Sequence, residues 1–301
     1  MLKKIIVILG PTGSGKSALA LKLAKKFNGY LISADSRQVY KQMNIGTNKD
    51  KGLWRENKYF VSGIEECLVD FLDLNKLYSV NEWVRQAKEE IISHKNKLPI
   101  IVGGTGLYIS ALIDNYELPG FNAKIRVKVA KEYEQKGLSF ILARLKKIDP
   151  SIEQKIDTSN PRRVLRAYEI CLLTKKPLNN AKKKRAYDAL QIGIDIDRQK
   201  LHAKLDKRCK QQFDEGLVSE VQNILKSGCS DDIAPLSGIG YRHVIRLLNK
   251  EINQETALSL NQRDNRRYAK RQMTWFRRDK RIHWVKTAVK AMSLAKRFLN
   301  Q

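Results

Sequence analysis

Histidine and cysteine are scarce in this chain, with four of each in 301 residues. Cys67, Cys171, Cys209 and Cys229 form no CxxC pair, and no two histidines sit at ligand spacing, so neither a zinc site nor a disulfide framework is expected. Unpaired thiols fit a reducing, cytoplasmic setting. No run approaches the roughly 20 apolar residues of a membrane span, so no membrane partner is expected. Lys3-Lys4 ahead of Ile5–Leu9 superficially resembles a signal peptide, but a glycine-rich loop follows in place of a small-residue cleavage site. The run reads instead as a buried strand. Acidic residues are also few, 31 against 58 Lys and Arg, a formal charge of +27. Such an excess favours a polyanion, because each neutralised phosphate releases counterions. A lysine-rich solvated surface would give the same balance, so charge alone assigns no function.

With 42% hydrophobic residues the chain can bury a sizeable core. Ile5–Leu9 is continuously apolar and ends at Gly10, as in a parallel strand covered on both faces. Ser17–Phe27 has helical spacing, Tyr30–Ser33 reads as a strand, Val80–His94 as an amphipathic helix and Leu98–Val102 as a third strand. From about residue 115 the pattern turns charged and helical, through 122–147 and 160–174, with a basic patch at Lys182-Lys183-Lys184-Arg185. Leu190–Ile196 then returns as a strand, and the rest reads as mostly helical with a break at 234–240. The fold class expected is α/β: a P-loop NTPase-like parallel sheet with helices on both faces and an inserted all-helical subdomain. The core takes residues 1–114 and 189–301, the insertion 115–188.

Gly10-Pro11-Thr12-Gly13-Ser14-Gly15-Lys16-Ser17 matches GxxxxGK[ST] between a strand and a helix. The glycines let backbone N–H groups converge on phosphate oxygens, and the helix N-terminus adds partial positive charge. Lys16 should reach the outer phosphate and Ser17 offer its hydroxyl to Mg2+. The spacing is silent on what carries the phosphate. Asp35 ends the second strand and Gly103-Gly104-Thr105 ends the third, and both strand ends should open on the crevice holding the loop. Asp35 could serve there as a magnesium ligand, a helix N-cap or a general base.

The runs GPTGSGKS (10–17), ADSRQVYKQMNIGTNK (34–49), YSV (78–80), VGGTGLY (102–108), NPRRVLRAYE (160–169), GIGYR (238–242) and YAKRQMTWFR (268–277), in this order, resemble the tRNA dimethylallyltransferase family. The resemblance implies that Gly10–Ser17 hold the diphosphate of dimethylallyl diphosphate rather than ATP. It implies that Asp35 is the general base toward N6 of the adenosine at tRNA position 37, beside the anticodon. Thr105 and Arg208 occupy family positions that contact the diphosphate or the reacting nucleotide, with Mg2+ as cofactor. Without the family pattern, Arg208 and Lys204 one turn earlier would read as a solvated helix face. For the tRNA anticodon stem-loop, the resemblance points to Asp35, Ser36, Arg37 and Gln38; Thr105; Arg126; Arg162, Arg163, Val164, Leu165 and Arg166; and Ser237, Gly238, Ile239, Gly240, Tyr241 and Arg242. A monomer is expected.

The residues support an RNA partner independently. Arg162, Arg163 and Arg166 share one helix face, with Val164, Leu165 and Tyr168 on the packing side. Residues 261–286 carry ten Lys or Arg against two acidic residues, interleaved with Tyr268, Trp275, Phe276 and Trp284. Those aromatics also fit a core-facing stripe with Gln272 and are expected mainly to pack. The chain departs from the family pattern at Ile64–Asp70, where many members carry histidine, and at Leu74, where proline is common. Gln212 replaces a common methionine. Two other enzyme readings share the phosphate loop: a small-molecule kinase, and prenyl transfer to free adenine nucleotides. Neither uses the insertion and the basic segments, and a non-enzymatic RNA-binding module would have no use for Lys16-Ser17.

Overall fold

The computed structural model describes residues 2–120, 122–179 and 184–301; Lys182 and Lys183 of the basic patch lie outside the described residues. The chain divides into two compact units, Met1–Ile113 with Arg185–Gln301, and Asp114–Lys184.

The first unit begins with β1 (Lys3–Leu9), α1 (Lys16–Lys26), β2 (Gly29–Ala34), β3 (Leu53–Arg55), β4 (Lys58–Val61), β5 (Ile64–Cys67), α2 (Val80–Ser93), β6 (Leu98–Gly103) and α3 (Gly106–Ile113). The second unit supplies α4 (Ala123–Ile148), α5 (Ile152–Lys155) and α6 (Pro161–Thr174). The chain returns to the first unit with β7 (Tyr187–Ile194), α7 (Arg198–Asp214), α8 (Leu217–Lys226), a 3-10 turn at Ala234–Ser237, α9 (Tyr241–Leu248), α10 (Gln254–Phe276), β8 (His283–Val285) and α11 (Ala288–Asn300).

Strand order is β3-β4-β5-β2-β6-β1-β7-β8. From β5 to β8 the pairs are parallel, while β3 and β4 pair antiparallel at one edge. Ile5–Leu9 are fully buried, as a strand between two neighbours and two helical layers requires. In register, Leu9 and Ala34 both pair with Gly103, so β1, β2 and β6 end level. That shared end is where an open parallel sheet places its ligands. The Tyr78-Ser79-Val80 run is a helix start. Ser79 Oγ accepts from Glu82 N at 3.3 Å and Glu82 Oε2 accepts from Ser79 N at 2.7 Å, a reciprocal cap for α2.

Four features differ from the reading of the sequence. The hairpin β3–β4 was not legible, and β8 adds a short strand to the C-terminal segment expected to be mostly helical. The returning strand spans 187–194 rather than 190–196. The helical pattern at 122–147 is interrupted at Gly137, whose φ of 75° and ψ of 178° only glycine adopts readily. In this second unit α4 and α6 pack around Val129, Ile141, Leu145, Val164, Ala167 and Tyr168. Asp149, 1% exposed, staples the unit from within. Its carboxylate accepts from Leu178 N (3.0 Å), Ser151 N (3.2 Å), Ser151 Oγ (2.8 Å) and Lys155 Nζ (2.8 Å). Burial alone would raise this carboxyl, but Lys155, Ser151 and the Leu178 amide hold it below its ordinary value.

Candidate active site

Above the level ends of β1, β2 and β6 lies a cleft of about 340 Å³, lined by Thr12, Gly13, Gly15, Lys16, Ser17, Asp35, Gln38, Gly103, Gly104 and Arg208 among others. The loop after β1 closes its floor. Gly13 (φ 77°) and Gly15 (φ 91°) take left-handed conformations, which lets the chain curl into the start of α1. Gly10, Pro11 and Ser14 complete the loop but do not line the cleft. Lys16 folds back so that its ammonium donates to Pro11 O at 2.7 Å. Desolvation pushes that ammonium down to about 8; nearby Asp35 opposes the fall and Arg208 reinforces it.

Arg208 enters from α7. Its Nη1 donates to Thr12 Oγ1 and its Nη2 to Asn265 Oδ1, both at 2.9 Å, while buried Nε has no partner. Burial lowers the pKa of this guanidinium, and Cys209 and Asp35 oppose that. A desolvated cation with an unused donor, beside Lys16 and the loop amides, favours a polyanion. The solvated-face alternative for Arg208 is therefore excluded by its burial.

Asp35 stands at the other wall. Its Oδ1 accepts from Arg37 N (2.8 Å) and Gln38 N (3.3 Å), capping the turn that follows β2. Both bonds fall on one oxygen, which leaves Oδ2 uncommitted to the turn. Thr105 N donates to Ala34 O at 3.1 Å, and Thr105 Oγ1 accepts from Ser36 N at 3.3 Å. Thr105 thus clamps the turn that carries Asp35. Arg37 Nη1 donates to Ala234 O (2.7 Å) and Nη2 to Ser237 Oγ (3.2 Å), which joins 35–38 to the 234–242 segment.

Within that segment Ser237 and Arg242 are exposed and Gly238 and Ile239 half-buried, whereas Gly240 is buried and Tyr241 is 1% exposed. Tyr241 OH donates to Glu220 Oε1 at 2.6 Å, and Glu220 accepts the amides of Asn44, Ile45 and Gly46. The Tyr241 side chain therefore holds a loop and presents no surface to a partner, a correction to its expected RNA contact. Val164 is likewise fully buried and Leu165 half-buried in the second unit's core, whereas Arg162, Arg163 and Arg166 are exposed. Arg126 is exposed on α4.

Several cleft residues are not among the site residues expected from the sequence. Gln272, 5% exposed on α10, accepts from Thr12 N at 2.8 Å and donates to Gly104 O at 2.9 Å, so one amide latches the phosphate loop to the turn after β6. Tyr268, one turn earlier, lines the cleft instead of the core, and burial, then Asp35, push its hydroxyl up to about 12. Phe276 packs inside as expected, but Trp275 is 41% exposed, seated against Gly106. Gln212 donates to Ile45 O at 2.7 Å and so braces the 44–46 loop against α7. Glu66 and Asp50 complete the cleft wall, and burial pushes the Glu66 carboxyl up to about 8, Asp50 adding to it. On the other side of β5, ligand atoms of Glu65, Cys67 and His94 lie within 4.8 Å of one another, a grouping no spacing rule detects. There Lys58 (2.9 Å), His94 (3.1 Å) and Lys97 (3.5 Å) already neutralise Glu65.

Comparison with known proteins places the chain in a family. The model of the IPP transferase family matches residues 38–279, and that of the isopentenyl transferase family residues 3–60. The chain is 40% identical over 293 residues to the tRNA dimethylallyltransferase of Carboxydothermus hydrogenoformans, covering 94% of this chain and 92% of that protein. With the enzyme of the same name from Acetivibrio thermocellus it shares 39% identity, over 93% and 91% of the two chains. Among solved structures, the tRNA isopentenylpyrophosphate transferase of Bacillus halodurans superposes with a TM-score of 0.72 at 31% identity, over 99% of this chain and 97% of that one. A eukaryotic dimethylallyltransferase solved acting on tRNA gives 0.83 at 26% identity, over 99% and 80%. By model match and by identity along nearly its whole length, the chain belongs to the tRNA dimethylallyltransferase (IPP transferase) family.

Proposed function

We propose that the protein transfers a dimethylallyl group from dimethylallyl diphosphate to N6 of the adenosine at tRNA position 37, releasing diphosphate. The observation that carries this reading is the shared cleft: an anion cradle of Lys16, Arg208 and loop amides opens beside an aspartate whose turn is clamped by Thr105. An exocyclic amine is a weak nucleophile because its lone pair is delocalised. Held in line with the allylic carbon, N6 forms the new C–N bond while the allylic C–O bond breaks and diphosphate departs with the electron pair. Asp35 accepts the N6 proton. Lys16 and Arg208 stabilise the growing charge on the leaving group. Ser17, which lines the cleft directly after Lys16, would offer its hydroxyl to Mg2+, which supplies further charge stabilisation when bound.

The exposed Arg162, Arg163 and Arg166, with Arg126 and the 237–242 segment, are proposed to bind anticodon-arm phosphates. A loop adenosine leaves its stack at lower cost than a paired one. Among the described residues no helix is long and apolar enough to cross a membrane; the four free thiols fit a reducing cytoplasm, where the protein is proposed to work as a monomer.

Incubation with dimethylallyl diphosphate, Mg2+ and unmodified tRNA, followed by nucleoside mass analysis, should show one adenosine gaining a dimethylallyl group. Chelation should slow this chemistry far more than it weakens tRNA docking. Phosphorylated product from a parallel reaction with ATP, with no prenylated nucleoside, would replace the reading with a kinase.

A further inference from the structure

Glu65 and Glu66 are adjacent on β5 and point to opposite faces, as strand neighbours must. Glu65 meets Lys58, His94 and Lys97. Glu66 is 8% exposed, lines the phosphate cleft, and accepts no hydrogen bond from any described residue. Asp50 and Ser17 line the same cleft. Burial in the cleft favours the neutral Glu66 carboxyl, and ionised Glu66 and Asp50 beside a diphosphate would repel it. A cation removes that repulsion.

We propose that Glu66 and Asp50, together with Ser17, hold the divalent cation that accompanies diphosphate in this enzyme. Three oxygen donors and no nitrogen or sulfur make a set for a hard ion, Mg2+ or Mn2+, that retains water and takes further ligands from the diphosphate. The assignment belongs to this chain's own residues: Glu66 falls in the Ile64–Asp70 stretch, where many family members carry histidine.

The inference rests on the diphosphate reading of the cleft but is tested apart from prenyl transfer. Mn2+ is titrated into the full chain with inorganic diphosphate present, and free Mn2+ is followed by electron paramagnetic resonance. Calorimetry without metal measures diphosphate affinity alone. Glu66→Gln should weaken Mn2+ binding at least tenfold and Asp50→Asn by a smaller factor, while metal-free diphosphate affinity stays equal or improves. Unchanged Mn2+ affinity in Glu66→Gln overturns the proposal. So does a loss of metal-free diphosphate affinity in that variant, which would make Glu66 a protonated donor to the ligand. If Glu66→Gln loses its cooperative melting transition, Asp50→Asn decides: weakened Mn2+ binding sustains the site, and unaltered binding removes it. Metal binding that fails while prenyl transfer persists leaves the functional reading standing, and the converse sinks that reading alone.

Discussion

Asp149 in the helical unit and Arg208 in the sheet unit are both charges withdrawn from water, yet their surroundings differ. Asp149 is met by four donors, one of them the Lys155 ammonium, and its carboxylate is saturated. Arg208 is held by Thr12 and Asn265 but keeps a buried Nε without a partner, and Glu66 nearby meets no donor. Complete satisfaction makes a buried charge part of the architecture. Incomplete satisfaction is a cost that folding alone does not recover, and a ligand of opposite charge recovers it. Asp149 is of the first kind and Arg208 of the second.

Asp35 sits between these cases, with one oxygen committed to its turn, and it offers the sharpest break. Asp35→Asn preserves an acceptor for the Arg37 and Gln38 amides but removes the base. Transfer should fall by about 10³, within the usual range for losing a general base, while tRNA affinity stays within about tenfold. Single-turnover rates and filter binding separate the two, and unimpaired turnover would reject Asp35 as proton acceptor. Asp149→Asn should do the opposite. It should lower stability by about 2–3 kcal/mol, as expected for losing charge-assisted hydrogen bonds to buried donors, and leave diphosphate affinity alone; urea denaturation and calorimetry read the pair. Because the Asp149 carboxyl lies below its ordinary value when folded, its contribution is present above the unfolded pKa and is lost as pH falls through the lower folded one.

A smaller effect is expected from Lys16. Its ammonium in the free enzyme titrates at about 8, so metal-free diphosphate affinity should decline as pH rises past that point, by up to about tenfold per unit. Lys16→Arg, whose guanidinium does not titrate in this range, should remove that decline. Matching profiles for the two proteins would assign the effect to the ligand. Smallest is Arg163, 59% exposed and only 3.9 Å from Asp157. Arg163→Glu should weaken tRNA binding and reduce the slope of log affinity against log salt by about one. An unaltered slope argues against a phosphate contact there.

Much of this contrast was legible in the chain itself. GxxxxGKS is contiguous, and the apolar runs before it, before Asp35 and before Gly103 announce strands whose ends converge. Other features have no local signature. Leu53-Trp54-Arg55 is exposed throughout and shows no alternation, so β3 left no pattern to read, and β8 is only three residues long. Glu66, Asp50 and Gln272 reach the cleft through tertiary contacts from 33 to more than 200 positions away in the chain, which periodicity cannot report. One signal was present. Asn261, Asn265 and Gln272 put amides on the buried face of α10 between Ala257 and Phe276, and polar groups on a core-facing stripe call for partners. Read as core alone, that stripe hid the latch on the phosphate loop.

The Gln272 latch has a consequence for how the enzyme comes into being on the ribosome. Thr12 and Gly104 emerge early, but the amide that spans them is translated 168 residues after the second. A nascent chain can display its glycine loop long before that loop is braced. Competence for diphosphate therefore arrives late, when α10 swings into place, and protein released without that helix would carry the motif in its sequence but not the shaped cradle.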